Sequence, residues 1–318
     1  MSKTSILIPA RAEKPENLNR TLNSIYENAT GDYEIIVGFN GPPYIDVIND
    51  LEPKSGWIAP RVVQLGENIG IKGMINLLAA LARGKYIYKS DAHCSFGKGF
   101  DDILQTDIKD DWIVMPRFKI IKDDWSIQMR DGQEEFYDYF YLSCPFTDPR
   151  GFRFKAGGHW KERTQERKPF PKELRKNAVV NFIHLMDIDE TPQIHGSGWF
   201  MTKDRFFELG GFPNIDLMGH AQEPAWLALK NWLMGGKVMV NKKTWYAHLH
   251  QSNEVKGYHY TKEEEKHSYD IAARHFVGDQ GNYLHNFEWF VEKFMPMPTW
   301  PENWKDQLAK WHKENHGI

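Results

Sequence analysis

The strongest constraint on the fold is an alternation of short apolar runs with helical segments over roughly the first third of the chain. Apolar runs typical of buried strands lie at 5–9, 33–38, 61–65, 85–90 and 112–115. Helical spacing of apolar residues predicts helices at 16–28, 72–82 and 100–108, with a weaker one at 45–51. Parallel strands need helical crossovers of this kind, whereas antiparallel strands can be joined by short turns. The rhythm therefore predicts an α/β fold with a mostly parallel sheet.

The pattern loosens between 123 and 177, which is an aromatic, charged and turn-rich stretch, and then becomes regular again. Strands are predicted at 196–201, 238–240 and 245–250, and helices at 203–209, 225–234, 261–276 and 303–315. We expect the last of these helices to pack on the main domain through its Trp304, Leu308 and Trp311 stripe.

Composition narrows the classes of protein. The 318 residues carry a net charge of -3, so there is no overall basic field that would favour nucleic acid. No signal peptide and no run of about 18 apolar residues occurs, which predicts no membrane span. The two cysteines, Cys94 and Cys144, are too few for a disulfide framework and favour reduced thiols in a cytoplasmic protein.

Asp91 and His93 directly follow the predicted strand at 85–90. If the backbone is extended there, these two residues, which are two positions apart, point their side chains to one face. A carboxylate beside an imidazole can hold a divalent cation, and such a cation can hold a diphosphate. The alternative is a strand end that happens to carry two polar residues. Ligands bind parallel sheets at the carboxyl ends of the strands, which favours the metal site.

A basic segment lies at 150–176, where ten basic and three acidic residues give a formal charge of +7. One interpretation is a loop that closes over a phosphate-bearing ligand or contacts an anionic acceptor. The other is a solvated surface insertion, and the sequence leaves both open.

A series of motifs resembles one family in order and spacing. The matching segments are 8–13 with Arg20, 34–37, 68–72 with Asn76, 91–94, 196–200, 207–212, Glu223, 232–236 and His248. Together they resemble the GT-A nucleotide-sugar glycosyltransferases of the family-two type, and most of all the catalytic domain of the polypeptide N-acetylgalactosaminyltransferases. The resemblance covers about residues 4 to 250.

The resemblance implies a GT-A (Rossmann-like) fold, in which a mixed, mostly parallel sheet is flanked by helices. It implies a catalytic domain at 1–250, with an aromatic and basic insertion on the acceptor side at about 117–195. Residues 251–318 are then expected to form a helical C-terminal extension packed on that domain.

The resemblance also implies the site. Asp91, His93 and His248 are the expected metal ligands, with Mn²⁺ preferred and Mg²⁺ next. Glu223 and His220 are expected to orient the sugar or the acceptor. Trp199 is expected to stack on the sugar or the acceptor, with a position in the core as the alternative. The residues expected around the nucleotide-sugar are Pro9, Arg11, Glu13, Asn40, Asn68, Gly70, Lys72, Asn76, Ser90 and Asp91.

Two positions depart from the family pattern. Where the family has an aspartate that recognises uracil, this chain has Phe39 and Asn40. An asparagine amide offers both a donor and an acceptor to a base edge, so uridine remains the expected nucleotide. Glu223 is followed by Pro224, where inverting relatives have an aspartate as general base. This favours a retaining mechanism, or a base supplied from elsewhere.

The expected protein is thus a cytoplasmic, metal-dependent hexosyltransferase that moves a sugar from a UDP-sugar to a hydroxyl group. The acceptor is left open between a surface glycan or teichoic-type polymer and a hydroxymethylated base of phage DNA. A sugar-nucleotide binding protein that has lost catalysis is the alternative from another class. The sequence does not indicate the oligomeric state.

Overall fold

The computed structural model describes residues 3–44, 58–148, 156–166, 187–214, 222–250 and 261–315. The weak helix predicted at 45–51, the predicted catalytic residue His220 and most of the basic segment at 150–176 lie outside these described residues.

A large central sheet organises the described part of the chain. Its strands run in the order β12-β14-β6-β13-β4-β1-β2-β3, and β5 and β9 pair with β14 and β6. The strands of this sheet are β1 (Thr4–Ala10), β2 (Tyr33–Asn40), β3 (Arg61–Leu65), β4 (Tyr86–Ser90), β5 (Cys94–Phe96), β6 (Trp112–Ile121), β9 (Phe136–Tyr137), β12 (Ile188–Glu190), β13 (Gly198–Thr202) and β14 (Lys237–Leu249). Two small ladders lie apart from it, β7 (Met129–Arg130) with β8 (Gln133–Glu134) and β10 (Phe140–Leu142) with β11 (Ala156–His159).

The longest ladders of the sheet are parallel. Strands β3, β2, β1 and β4 run in one direction, and β6 pairs in parallel with β14. Strand β13 lies antiparallel between β4 and β6 and joins these two halves. The predicted α/β fold with a mixed, mostly parallel sheet is confirmed. Strand β4 pairs on both sides, with β1 and β13, so its carboxyl end lies in the interior of the sheet.

Helices connect and cover the strands. They are α1 (Pro15–Asn28), α2 (Gly70–Leu81), α3 (Phe100–Asp107), α4 (Lys161–Glu166), α5 (Lys203–Glu208), α6 (Glu223–Leu233), α7 (Lys262–Ala272), α8 (Phe287–Phe294) and α9 (Trp304–Asn315). Each helix predicted within the described residues is present within a few residues of its expected bounds. Helix α7 stops earlier than expected, because the chain widens into a π-helical turn at Ala273–Val277. Helices α4 and α8 are not among the predicted elements.

Strands β6 and β14 are longer than their sequences indicate. Strand β6 was expected to end at Met115, and β14 was expected as two strands. Pro116 cannot donate to a ladder, and it pairs with Asn241 where the register of the two strands shifts. The polar residues around this irregularity break the apolar alternation, although the backbone pairing continues through it.

The short strand β5 was missed by the sequence, and it sets the geometry around Asp91. The chain bends at 92–93 instead of remaining extended. It then pairs antiparallel with β14, with Cys94 opposite His248. The argument that an extended backbone carries Asp91 and His93 on one face is therefore wrong. The two residues meet because of the bend and the β5–β14 pairing.

Aromatic residues fill much of the core, which accounts for part of the high aromatic content. The fully buried Tyr88 packs edge-on against Phe96 and Phe100. The same core cluster includes Phe290 of α8 and Trp304 of α9. The indole of Trp300 also donates to the carbonyl of Leu142 at 2.6 Å. The division of the chain at residue 250 stays a prediction.

Both cysteines are free and buried, as expected of reduced thiols. Among the described helices, none has the length and apolar character required to cross a bilayer.

Gly198 of β13 lies directly against the side chain of Tyr246 from β14, so that a side chain at Gly198 has no room. A Cβ atom there would lie 2.6 Å from Cε2 of the buried Tyr246 ring. We expect Gly198→Ala to lower the free energy of unfolding by about 1–3 kcal/mol, because the core must shift to accept the methyl group. Gly66→Ala is the control, since its Cβ would meet nothing within 4 Å. Urea unfolding of both variants measures the effect, and equal midpoints would contradict it.

Candidate active site

Three side chains converge beyond the carboxyl end of β4. Among the described residues, Asp91, His93 and His248 form the group whose potential ligand atoms all lie within 4.8 Å of one another. The two imidazole rings are 4.7 Å apart between centroids. One carboxylate and two imidazoles form a donor set that suits a divalent transition metal such as Mn²⁺ or Zn²⁺.

His93 is oriented by a carboxylate behind it. Its Nδ1 lies 2.7 Å from Oε2 of Glu13, whose side chain is buried at the start of the segment that leads into α1. Burial alone would raise the pKa of Glu13, but the hydrogen bond and charge of His93 hold this pKa below its usual value. A carboxylate bonded to Nδ1 fixes the tautomer that leaves Nε2 for a cation.

His248 has a ring nitrogen that is neutral and could ligate a cation. Its Nε2 lies 3.2 Å from Oδ2 of Asp91, but neither ring nitrogen makes a well-aligned hydrogen bond with the described residues. Burial lowers the pKa of His248 to about 4, although Asp91 opposes this shift. A buried imidazole in its neutral form, close to a carboxylate and without an aligned donor, is the arrangement expected of a metal ligand.

Asp91 is ionised and shared between two partners. Partial burial would raise the pKa of Asp91, but Lys89 and His248 hold it well below its usual range. Lys89 donates to Oδ1 at 2.6 Å, while Oδ2 faces His248. Since Lys89 occupies only one oxygen, the other is presented to the proposed cation position.

Lys89 itself is a buried cation inside β4. Its Nζ also donates to the carbonyl of Gly196 at 2.5 Å and lies 3.6 Å from Oε1 of Glu223. Burial would lower the pKa of Lys89, but the charges of Asp91 and Glu223 raise it above its usual value. Lys89 is therefore a permanent positive charge between two carboxylates.

Glu223, at the start of α6, is the second of these carboxylates. Its Oε1 accepts a hydrogen bond from the indole of Trp199 at 2.9 Å. Burial raises the pKa of Glu223, while Lys89 and the Trp199 bond oppose that shift. Trp199 is completely buried and stacks on Phe206, and its indole orients Glu223; its contact with a sugar or acceptor stays a prediction.

The predicted nucleotide-binding residues gather at the ends of β1, β2 and β4. Oδ1 of Asn40 accepts from the backbone of Ile69, and Oδ1 of Asn68 accepts from Gly70, each at 2.9 Å. Position 70 favours glycine because its φ is +77°, in the left-handed region that other residues rarely adopt. Because Asn40 uses its carbonyl oxygen to fix this loop, its amide donors remain the groups available to a base edge.

Three further predicted residues lie at the same edge. Pro9 and Ser90 are buried, and the Ser90 hydroxyl donates to the carbonyl of Asp91 at 2.8 Å. Nη1 of Arg11 is buried and has no hydrogen-bond partner among the described residues. A buried guanidinium nitrogen in this state is suited to an anionic ligand.

Two predicted donor-binding residues of α2 have other surroundings. Lys72 is 1% exposed, and its charge is one of those that oppose the rise that burial causes in the pKa of Glu223. The Asn76 amide exchanges two hydrogen bonds with the backbone of Phe212, at 2.9 and 3.0 Å. Asn76 thus fixes the turn after α5, and its assignment to the donor stays a prediction.

Further histidines lie beside the metal ligands around the buried ring of Phe118. The rings of His159, His195 and His250 are 5.8, 4.5 and 5.8 Å from it. Burial lowers the pKa of His195 well below its usual value and that of His159 to about 4. Phe118 and these three histidines form a wall beside the proposed metal position, on the side of the predicted insertion at 117–195.

Lys89 was missed by the sequence interpretation, although a signal for it was present. A lysine within the apolar run Tyr86–Ser90 is unusual, because lysine is almost never fully buried unless it is paired. The role of Glu13 as the partner of His93 was also not indicated, since 80 positions separate the two residues.

Comparison with known proteins defines the class. The model of glycosyl transferase family 2 matches residues 5–165, about half of the chain. The chain belongs to this family.

Two curated relatives are similar to the chain. A putative polypeptide N-acetylgalactosaminyltransferase 13 of Drosophila melanogaster is 23% identical over 310 residues, which are 92% of this chain and 48% of that protein. Polypeptide N-acetylgalactosaminyltransferase 5 of Caenorhabditis elegans is 24% identical over 255 residues, 76% of this chain and 36% of that protein. The chain therefore spans about half or less of the length of these relatives.

Solved structures show the same fold. GalNAc-T7 with UDP, GalNAc and Mn²⁺ matches with a TM-score of 0.61 and 16% identity, over 92% of this chain and 56% of that one. Residues 1–349 of S. aureus TarS in complex with UDP-GlcNAc match with a TM-score of 0.55 and 12% identity, over 91% and 69%. These likenesses confirm the GT-A fold.

The contact between Glu13 and His93 can be tested by its effect on the metal. We expect Glu13→Ala to weaken Mn²⁺ binding by about 10- to 100-fold, because His93 then loses the partner that fixes its tautomer and orientation. Calorimetric titration with Mn²⁺ in the presence of UDP measures this change. Glu16→Ala, which removes an exposed carboxylate from the same helix region, is the control. Equal affinities in the two variants would contradict the assignment.

Proposed function

We propose that this protein transfers a sugar from a UDP-sugar to a hydroxyl acceptor in a divalent-metal-dependent reaction. The observation that carries the proposal is the convergence of Asp91, His93 and His248 at the carboxyl end of β4. The imidazole nitrogens of His248, which lack aligned hydrogen bonds among the described residues, fit a cation bound there. UDP and Mn²⁺ accompany the GalNAc-T7 structure, and UDP-GlcNAc accompanies that of TarS.

The chain's own residues bind and orient the donor. Asp91, His93 and His248 would hold the cation, which acts as a Lewis acid on the diphosphate leaving group. Arg11 has a buried nitrogen available to an anionic oxygen, and Asn40 has amide donors available to the uracil edge. Asn40 is held by its bond to the backbone of Ile69 before the donor binds, so little ordering of this side chain is required at that step.

Glu223 is proposed to act at the sugar end of the donor. Trp199 and Lys89 hold its Oε1, and this leaves Oε2 to orient a hydroxyl group of the sugar or the acceptor. Because Pro224 follows Glu223, this stretch supplies no adjacent aspartate as general base. This supports a retaining reaction.

The acceptor is proposed to be a glycan or polymer hydroxyl. The partly exposed imidazole rings of His159, His195 and His250, which surround the buried Phe118, offer ring faces of the kind on which sugars pack. A modified DNA base is the second candidate, favoured by the +7 charge of residues 150–176. The two free cysteines support the proposed cytoplasmic location.

The metal ligands give the direct test of this function. We expect Asp91→Ala and His248→Ala each to reduce sugar transfer by more than about 100-fold, since the diphosphate loses its charge partner. Both should also abolish the Mn²⁺-dependent thermal stabilisation by UDP. The exposed His267→Ala is the control. Transfer and metal dependence that survive in both variants would refute the site.

Two further measurements distinguish the candidate acceptors and distinguish an enzyme from a binding protein that has lost catalysis. Binding to hydroxymethylated DNA that falls steeply with salt would favour the DNA base as acceptor. Slow hydrolysis of the UDP-sugar in the absence of acceptor would argue against a binding protein without catalysis.

A further inference from the structure

Lys89 occupies an unusual place for a lysine. It is 1% exposed and lies in the middle of β4, opposite Trp199 in the register with β13. Its Nζ contacts Oδ1 of Asp91, the carbonyl of Gly196 and, at 3.6 Å, Oε1 of Glu223. The ammonium group thus bridges a proposed metal ligand on one strand and the carboxylate at the start of α6.

Each carboxylate is held through one oxygen. Asp91 gives Oδ1 to Lys89 and turns Oδ2 towards His248, at 3.2 Å. Glu223 receives Lys89 and Trp199 at Oε1 and turns Oε2 towards Gly196, where a Cβ atom would lie 3.8 Å away. Lys89 therefore fixes the rotation of both groups and leaves a defined oxygen of each for ligands.

The same geometry affects how strongly the site attracts a cation. Among the three proposed ligands only Asp91 carries a negative charge, and Lys89 offsets it. The carboxylates of Glu223 and Glu13 lie in the same region, but they contact Lys89 and His93 and are outside this ligand group. A divalent cation bound to Oδ2 would also lie within a few ångströms of Nζ, and like charges at this range repel strongly in a protein interior. The diphosphate of a nucleotide-sugar would supply the negative charge that the protein ligands lack.

We propose that Lys89 is a positioning residue that holds Asp91 and Glu223 by one oxygen each and makes cation binding dependent on the diphosphate of the donor. The proposal rests on the proposed function of the same site. It assigns to Lys89 two effects of opposite sign, since the lysine weakens binding of the cation alone and supports catalysis through Glu223.

Substitution of Lys89 by methionine keeps the length of the side chain and removes its charge. In calorimetric titrations without nucleotide, we expect Lys89→Met to bind Mn²⁺ more tightly than the wild type by at least about tenfold. The factor by which UDP improves Mn²⁺ affinity should become smaller, and by linkage so should the factor by which Mn²⁺ improves UDP affinity. A variant that is merely damaged would bind less metal, so a gain identifies the charge effect.

Catalysis should change in the opposite direction. We expect kcat of Lys89→Met to fall by more than about tenfold, with a smaller change in the KM for the UDP-sugar, because Glu223 loses one of the two groups that hold Oε1. Lys85→Met is the matched control. It removes a lysine that is largely exposed, just before the other end of β4, and should leave both Mn²⁺ affinity and kcat unchanged.

A second pair of variants keeps the test valid if two uncompensated carboxylates prevent folding of Lys89→Met. Glu223→Gln removes one of them, and Lys89→Met in that background restores the wild-type net charge. We expect the double variant to bind Mn²⁺ more tightly than Glu223→Gln alone. If Lys89→Met and the double variant both fail to fold, Lys89 is a structural ion pair and the proposal is overturned.

The outcomes distinguish this proposal from the proposed function. Wild-type protein that binds no Mn²⁺, with or without UDP, would overturn the proposed function itself. Wild-type protein that binds Mn²⁺ with UDP, together with a Lys89→Met variant whose Mn²⁺ affinity is equal or weaker, would overturn only the role of Lys89.

Discussion

The candidate site depends on one short backbone pairing, that of β5 with β14. His248 lies opposite Cys94 in this ladder, and the backbone of Leu249 donates to the carbonyl of His93 at 3.0 Å. These bonds hold two segments more than 150 positions apart at the distance that three metal ligands require. Since β14 also forms the long parallel ladder with β6, the position of His248 is set by the central sheet and not by a mobile loop.

Charge is the second constraint on the site. Lys89, Asp91 and Glu223 are brought together at the junction of β4 and β13, where each would be costly without the others. Breaking such a network by removing one partner is strongly destabilising, whereas the intact set fixes the orientation of every member. The sheet register supplies this arrangement directly, because Trp199 lies opposite Lys89 and both reach the same oxygen of Glu223.

The sequence predicts the features that repeat and misses those that depend on single contacts. The strand–helix rhythm indicated β1 to β4 and their helices, because apolar periodicity is set by burial along each element. Three residues of β5 are too few for any periodicity, and the Pro116 irregularity hid the length of β6 and β14. The metal triad was indicated by resemblance. Its supporting contacts, Glu13 to His93 and Lys89 to Glu223, join residues far apart in the chain, and no local pattern encodes them.

The donor end and the acceptor side of the proposed site differ in how much a substitution would disturb the core. The proposed metal position and Glu223 rest on β4, β13, β14 and the start of α6. These elements belong to the buried core, so substitutions there disturb packing and charge together. The wall on the acceptor side is built around Phe118 by His159, His195 and His250, from the insertion and from the chain beyond β14. His159 and His250 lie outside the β4–β13 charge network, whereas His195 directly precedes Gly196, whose carbonyl accepts from Lys89. The proposed donor end and the proposed acceptor side therefore rest on different parts of the fold, and one fold can carry different acceptor sites on the same scaffold.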